Sequence, residues 1–210
     1  MRPRLGFVTG VVLGAVFGAF MAGGIGGLAA DRQQEQGRPK PQDNPELTRL
    51  HEQDQADRIP EVGMPIDWTV VGPRDRVREA RVKALYEAGE VRTGQDYRRA
   101  AMILQHAGRP EDFLLAHEFC VVALAKGERD ARWLAAATED RFLMNIGRPQ
   151  RFGTQDRSSG PVDPVRLYQV EPGVTDRLRR ELEVPTLAEA RGREIEMNEK
   201  VNGMKPAPRP

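Results

Sequence analysis

Three polar side chains lie in apolar helical surroundings, and their residue types are suited to acid–base chemistry. His117 interrupts the most apolar stretch of the chain, Asp140 has apolar helical neighbours, and His106 lies near the end of a predicted helix. Burying such groups costs free energy unless a partner is provided, so we expect these three residues to meet in the core. They could form a catalytic or metal-binding site, with Arg141 and Glu118 nearby in the sequence, or structural hydrogen bonds that join three helices.

The sequence contains no recognisable metal- or cofactor-binding motif. A single cysteine, Cys120, excludes an internal disulfide and a thiolate-rich zinc site. Position 121 holds valine where a zincin helix starting at His117 would have its second histidine. Cys120 has no base near it in the sequence, and we expect it to fill the core.

A segment rich in hydrogen-bond donors follows the second strongly apolar helix. Residues 147–155 read GRPQRFGTQ, and Gln150, Thr154 and Gln155 stand there beside Arg148 and Arg151. Such a loop could hold an anionic or carbonyl-bearing ligand. Its glycines lack the spacing of a phosphate-binding loop, which argues against nucleotide binding.

The elements that must position these residues are helical, because apolar residues recur at three- and four-residue steps between well-marked breaks. The predicted helices span residues 47–58, 74–88, 93–107, 111–126, 130–146, 174–183 and 187–201. Residues 59–73 are expected to form a loop, and no convincing strand is found. The predicted fold class is all-α, a single domain of antiparallel helical hairpins that are distantly tetratricopeptide-like.

Local capping chemistry marks where several of these helices begin. Thr93 with Asp96, and Thr186 with Glu189, predict two capping boxes. Pro110 suits a first helical position, and Asp130 is a candidate N-cap for the next helix.

An uncharged apolar segment runs from Leu5 to Ala30. Its 26 residues give about 39 Å of helix, more than the roughly 30 Å hydrocarbon core of a membrane. Arg2 and Arg4 precede it, so the positive-inside rule places residues 31–210 outside the cytoplasm, in the cell envelope. We expect a transmembrane anchor over residues 1–30. A cleaved signal peptide is the alternative and would leave a periplasmic or secreted protein.

Small residues recur every four positions within this segment, at Gly6, Gly10, Gly14, Gly18, Ala22, Gly26 and Ala30. They would form a ridge along one helix face that a second helix could approach closely. Self-association or a protein partner could use this ridge. The alternative is that glycine is merely common here, since 8 of the 21 glycines fall in residues 1–30.

Polar segments flank the predicted domain. Residues 31–46 contain no apolar side chain other than proline and are expected to form a disordered tether, and residues 202–210 a disordered tail. The helical domain between them covers residues 47–201. With 32 Lys and Arg against 31 Asp and Glu, the chain has no basic excess, which argues against binding to nucleic acid.

Short motifs occur in a fixed order: DQADR at 54–58, LQHAG at 104–108, EDRF at 139–142 and RPQRFGTQ at 148–155. They resemble an uncharacterised bacterial domain-of-unknown-function family marked by DQxxR, QHA or QHG, DR and GxxQxxGTQ. The resemblance covers about residues 47–195. It implies one all-helical domain with a shared polar site, and it implies no reaction. The matched positions are Asp54, Gln55, Arg58, Gln105, His106, Asp140, Arg141, Gln150, Gly153, Thr154 and Gln155.

The leading hypothesis is a membrane-tethered extracytoplasmic domain that binds a protein or a ligand, because no complete catalytic motif is present. The alternative is a hydrolase in which His106 is the general base or a metal ligand and Asp140 orients it. Arg141 and the loop from Gln150 to Gln155 would then hold the substrate. The candidate ligand-binding residues are Asp54, Arg58, Gln105, His117, Gln150, Thr154 and Gln155.

Overall fold

The structure, a computed structural model, describes residues 41–60, 64–160 and 163–204. Within these ranges the fold is all-α, as predicted, with seven helices and one two-stranded sheet. The helices are α1 Pro45–Ala56, α2 Trp68–Glu87, α3 Gly94–Leu104, α4 Pro110–Ala125, α5 Ala131–Asn145, α6 Asp176–Glu181 and α7 Leu187–Met204. Strands β1 Asp156–Arg157 and β2 Arg166–Leu167 lie between α5 and α6.

The predicted apolar helix over residues 5–30 lies outside the described residues. In the part of the chain that is described, no helix combines the length and the apolar character needed to cross a bilayer.

Helix α1 begins two residues earlier than predicted, because Asn44 caps it. The Asn44 side-chain oxygen accepts hydrogen bonds from the amides of Glu46 at 2.9 Å and Leu47 at 3.1 Å. Pro45 takes the first helical position, where its missing amide hydrogen costs no hydrogen bond.

Helix α2 begins at Trp68, so the predicted loop over residues 59–73 is wrong in its second half. A proline inside a helix lacks the amide donor for an intrahelical hydrogen bond, and the predicted helix began only after Pro73. The Asp67 carboxylate caps the helix by accepting the Thr69 amide at 3.0 Å, and Val71 is buried. Cap and burial together stabilise the extra turns before Pro73.

The capping predictions are largely confirmed. The Thr93–Asp96 box forms at α3, Pro110 occupies the first turn of α4, and the Thr186–Glu189 box forms at α7. Asp130 does precede α5, but its side chain makes no capping hydrogen bond.

Helices α1 to α5 enclose the main apolar core, which includes Leu47, Val82, Leu104, Phe119 and Leu134. Gly94 allows α3 to start against the end of α4, since a Cβ atom there would lie 2.9 Å from Cβ of Glu128. Cys120 fills this core as expected, and burial raises the pKa of its thiol to about 12.

A smaller core joins α5 to the C-terminal third and contains Ala136, Phe152, Val174 and Val184. The prediction of no strand is wrong here, because Asp156 and Arg157 pair antiparallel with Leu167 and Arg166. The Asn198 side chain supports the pair by accepting from the Val165 amide at 2.7 Å and donating to its carbonyl at 2.8 Å. Such long-range support leaves no periodic pattern in the sequence.

Candidate functional site

Two fully buried aspartates, Asp54 and Asp140, lie at the centres of two different polar networks. Asp140 binds residues 147–155, which we call the Asp140 loop. Asp54 supports one side of a pocket lined by Arg58, Ile66, Trp68, Asp75, Gln105, His106, Ala107 and Arg141, which we call the cationic pocket.

The Asp140 loop is folded around the Asp140 carboxylate. One oxygen accepts the amides of Arg151 at 2.7 Å and Phe152 at 2.9 Å. The other accepts the amide of Thr154 at 3.0 Å and its hydroxyl at 2.7 Å. Because both oxygens are occupied by the loop, Asp140 acts as the anchor of the loop rather than as a partner of His106.

Gln150 and Gln155 close the loop on itself. The Gln150 side-chain amide donates to the carbonyls of Gln155 at 2.9 Å and Tyr168 at 2.8 Å, and its oxygen accepts the Gln155 amide at 2.9 Å. Gly153 adopts a φ of +81°, which a residue with a side chain rarely takes. The donors of Gln150 and Thr154, which the sequence suggested for a ligand, are engaged inside the protein.

Arg179 holds the same loop from α6, and nothing in its local sequence indicated this role. Its guanidinium is buried and donates to the carbonyls of Phe152 at 3.1 Å, Val174 at 2.6 Å and Arg151 at 3.2 Å. A buried arginine whose donors meet backbone carbonyls in this way is a structural clamp.

His117 also has a structural partner. Its Nδ1 lies 2.9 Å from the carbonyl oxygen of Ala135, so the ring joins α4 to α5. The expected cluster of His106, His117 and Asp140 is therefore not formed, because each residue is bound to a different part of the molecule.

The hydrogen-bond partner of His106 is Asp54, 52 residues away in the sequence, with Nδ1 and Oδ1 3.0 Å apart. Burial raises the pKa of Asp54, but the hydrogen bond from His106 and the charges of His106 and Arg58 outweigh it and hold that pKa below its ordinary value. The carboxylate can only accept, so Nδ1 of His106 carries the hydrogen. In the neutral ring, Nε2 is then left as an acceptor.

Arginines surround the Asp54 carboxylate. Arg58 donates to Asp54 and to Asp75, both at 2.9 Å. Arg78 is buried and donates to Asp57 at 2.7 Å and to Asp75 at 2.6 Å. The sequence analysis missed Asp57, Asp75 and Arg78, although the one-turn spacing of Asp75 and Arg78 was a local signal of an ion pair.

The cationic pocket has a volume of about 390 Å³. A neighbouring pocket of about 560 Å³ shares Trp68, Asp75, His106 and Ala107 with it. A separate groove of about 540 Å³ runs past Leu50 and Val77, and its charged groups Asp57 and Arg78 are already paired.

Arg141 differs from the other arginines of this region. Its Nε is buried without a hydrogen-bond partner, and its guanidinium has no carboxylate within 4.0 Å among the residues that the structure describes. Burial, and after it the positive charge of Arg58, lowers the pKa of this guanidinium. Gln105 on the same wall is also buried, and its side-chain oxygen is likewise unpaired within the described ranges.

The structure thus brings together Asp54, Arg58, Gln105, His106 and Arg141 and keeps them apart from Asp140, Gln150, Thr154 and Gln155. No set of three or more His, Cys, Asp or Glu side chains in the described ranges is arranged to hold a metal ion.

Comparison with known proteins gives no assignment for this arrangement. No family model matches the chain, and neither a curated protein nor a solved structure is significantly similar to it.

Proposed function

We propose that the chain is a membrane-tethered extracytoplasmic helical domain that acts as a ligand-binding module of the cell envelope, with the cationic pocket as its binding site. The observation that carries this proposal is Arg141, which lines the pocket and whose buried Nε has no hydrogen-bond partner among the described residues. The Asp140 loop, by contrast, uses its donors internally.

The tether part of the proposal is supported by the sequence. Residues 5–30 carry no charge, Arg2 and Arg4 precede them, and a polar segment follows. Full-length protein produced in bacterial cells should remain with the membranes after a carbonate wash, with its N-terminus at Met1. A mature chain that starts near Ala30 would instead identify a secreted or periplasmic protein.

The lining of the cationic pocket favours binding over catalysis by a covalent route. Among the residues that the structure describes, the lining includes no serine, threonine, cysteine or lysine, the side chains that most often act as nucleophiles. The carboxylate described in the lining, that of Asp75, is paired with Arg58 and Arg78. Arginine donors beside an indole ring instead suit recognition of an organic ligand.

Binding at this pocket can be measured on the full-length chain in detergent. The chain has two tryptophans, so Trp133→Phe leaves Trp68 as the single fluorophore, at the pocket itself. Acidic, neutral and basic small molecules are then screened for a saturable change in Trp68 fluorescence. At least one class should produce it, and no response from any class would contradict the proposal.

A hydrolase remains a second candidate because of one observation, the Asp54–His106 hydrogen bond. A carboxylate that fixes the imidazole tautomer leaves Nε2 able to take a proton from water, with the arginines holding an anionic ester. Nitrophenyl esters of carboxylic and phosphoric acids test this directly. Hydrolysis that His106→Gln abolishes would favour the enzyme, whereas saturable binding without turnover would favour the binding module.

A further inference from the structure

Among the residues that the structure describes, the ion pairs around the cationic pocket leave one guanidinium without a carboxylate partner. Asp54 pairs with Arg58, Asp57 with Arg74 and Arg78, and Asp75 with Arg58 and Arg78, at distances between 2.6 and 2.9 Å. Three carboxylates therefore face four arginines once Arg141 is included. Within the described residues, Arg141 is the arginine of this cluster that keeps an uncompensated positive charge.

A positive charge that is partly buried and unpaired is unfavourable, and a bound anion would relieve it. The planar guanidinium offers parallel N–H donors that match the two oxygens of a carboxylate or of a phosphate. Arg58 lines the same pocket, and its guanidinium adds to the positive field there.

The rest of the wall is apolar. Ile66 and Trp68 belong to the lining beside the charged residues, and Trp68 is 61% exposed although it is large and apolar. An exposed indole beside a polar site is suited to stacking on an organic ligand. A free inorganic ion would leave this surface uncovered.

We infer that the cationic pocket binds an organic oxyanion, with its carboxylate or phosphate group on Arg141 and its apolar or aromatic body against Trp68. This inference rests on the proposed function and names the chemical class of its ligand.

The probes are benzoate and phenyl phosphate, with benzamide as the neutral isostere of benzoate. Each is titrated against the full-length Trp133→Phe chain, with Trp68 fluorescence as the readout. We expect at least one anion to bind saturably, and benzamide to bind at least about tenfold more weakly than benzoate. The stronger of the two anions identifies the head group as carboxylate or phosphate.

A matched pair of variants assigns the binding to Arg141. Arg141→Gln should weaken the preferred anion by at least about tenfold, because the charged donors are lost. Arg148→Gln removes an exposed arginine that follows the same helix and should leave the affinity unchanged. Melting temperatures without ligand show whether each variant is folded. If Arg141→Gln does not fold, the comparison of benzoate with benzamide still tests the inference, because it uses a chain in which Arg141 is unchanged.

Three results would overturn the inference: benzamide binding as tightly as benzoate, full affinity in a folded Arg141→Gln chain, or no binding of either anion at tens of millimolar. The wider screen tests the proposed function separately from this inference. If only neutral or basic compounds bind saturably, the inference is wrong and the proposed function is supported. If no compound binds, both are wrong.

Discussion

Asp54 and Asp140 are both fully buried aspartates, yet they are satisfied in opposite ways. Asp140 accepts three backbone amides and one hydroxyl from a single neighbouring loop. Asp54 accepts hydrogen bonds from three side chains, those of Gln55, Arg58 and His106. The first arrangement fixes a backbone, whereas the second orients side chains whose other atoms still face a pocket.

This difference separates a structural network from a candidate binding site. Backbone amides bound by a carboxylate have no further donors to offer, so the Asp140 loop is closed to ligands at that point. A guanidinium or an imidazole held at one nitrogen keeps its others available. Burial of an aspartate therefore does not by itself distinguish the two roles, and the identity of its donors does.

The largest effect is expected for Asp140→Ala. It leaves the amides of Arg151, Phe152 and Thr154 without their acceptor inside the protein, so the free energy of unfolding should fall by about 3–5 kcal/mol. Urea unfolding of the full-length chain in detergent measures it, with labelling of the buried Cys120 thiol as a second probe. A loss below about 1 kcal/mol would show that the loop does not depend on this carboxylate.

Asp54→Asn should have the next largest effect, about 2–3 kcal/mol at neutral pH, because Arg58 loses a buried counter-charge and the His106 hydrogen bond loses its charged acceptor. The pKa of Asp54 is held below its unfolded value near 3.8, so its contribution is present above that pH and is lost as the pH falls through the folded value. The difference between wild type and variant should therefore shrink under acid. A difference independent of pH down to about 2 would contradict the assignment.

Double-mutant cycles give a smaller and more specific test. His106→Ala combined with Asp54→Ala should show a coupling of about 1 kcal/mol, because the two residues share one hydrogen bond. His106→Ala combined with Asp140→Ala should be additive within about 0.5 kcal/mol. The reverse result would restore the His106–Asp140 pair that the sequence suggested.

Features set by neighbouring residues could be predicted from the sequence. The Thr93–Asp96 and Thr186–Glu189 capping boxes and the position of Pro110 depend on contacts within one helical turn. The start of α2 was missed because the helix continues through Pro73, a residue type that disfavours helix interiors. The cap at Asp67 and the burial of Val71 stabilise the residues before it. The short strands were missed because their stability comes from pairing and from Asn198, far away in the sequence.

In the candidate site, too, contacts between residues far apart in the sequence could not be predicted. The motif residues take part in both polar networks, but their grouping depends on tertiary contacts. Asp140 and Arg141 are adjacent in the sequence, and both were assigned to one site. Successive helical residues point about 100° apart, so Asp140 faces the loop while Arg141 lines the cationic pocket. His106 was paired with the wrong aspartate because its actual partner, Asp54, is 52 residues away in the sequence and is brought close only by tertiary packing.

The most direct test of the central claim measures two variants, Thr154→Val and Arg141→Gln, in two assays. The account predicts that Thr154→Val lowers the free energy of unfolding by about 1 kcal/mol, through the lost hydroxyl bond to Asp140, and leaves the affinity for the preferred anion unchanged. It predicts that Arg141→Gln weakens that anion and does not lower stability. An affinity that falls in Thr154→Val and persists in Arg141→Gln would contradict the account, because the ligand would then bind at the Asp140 loop.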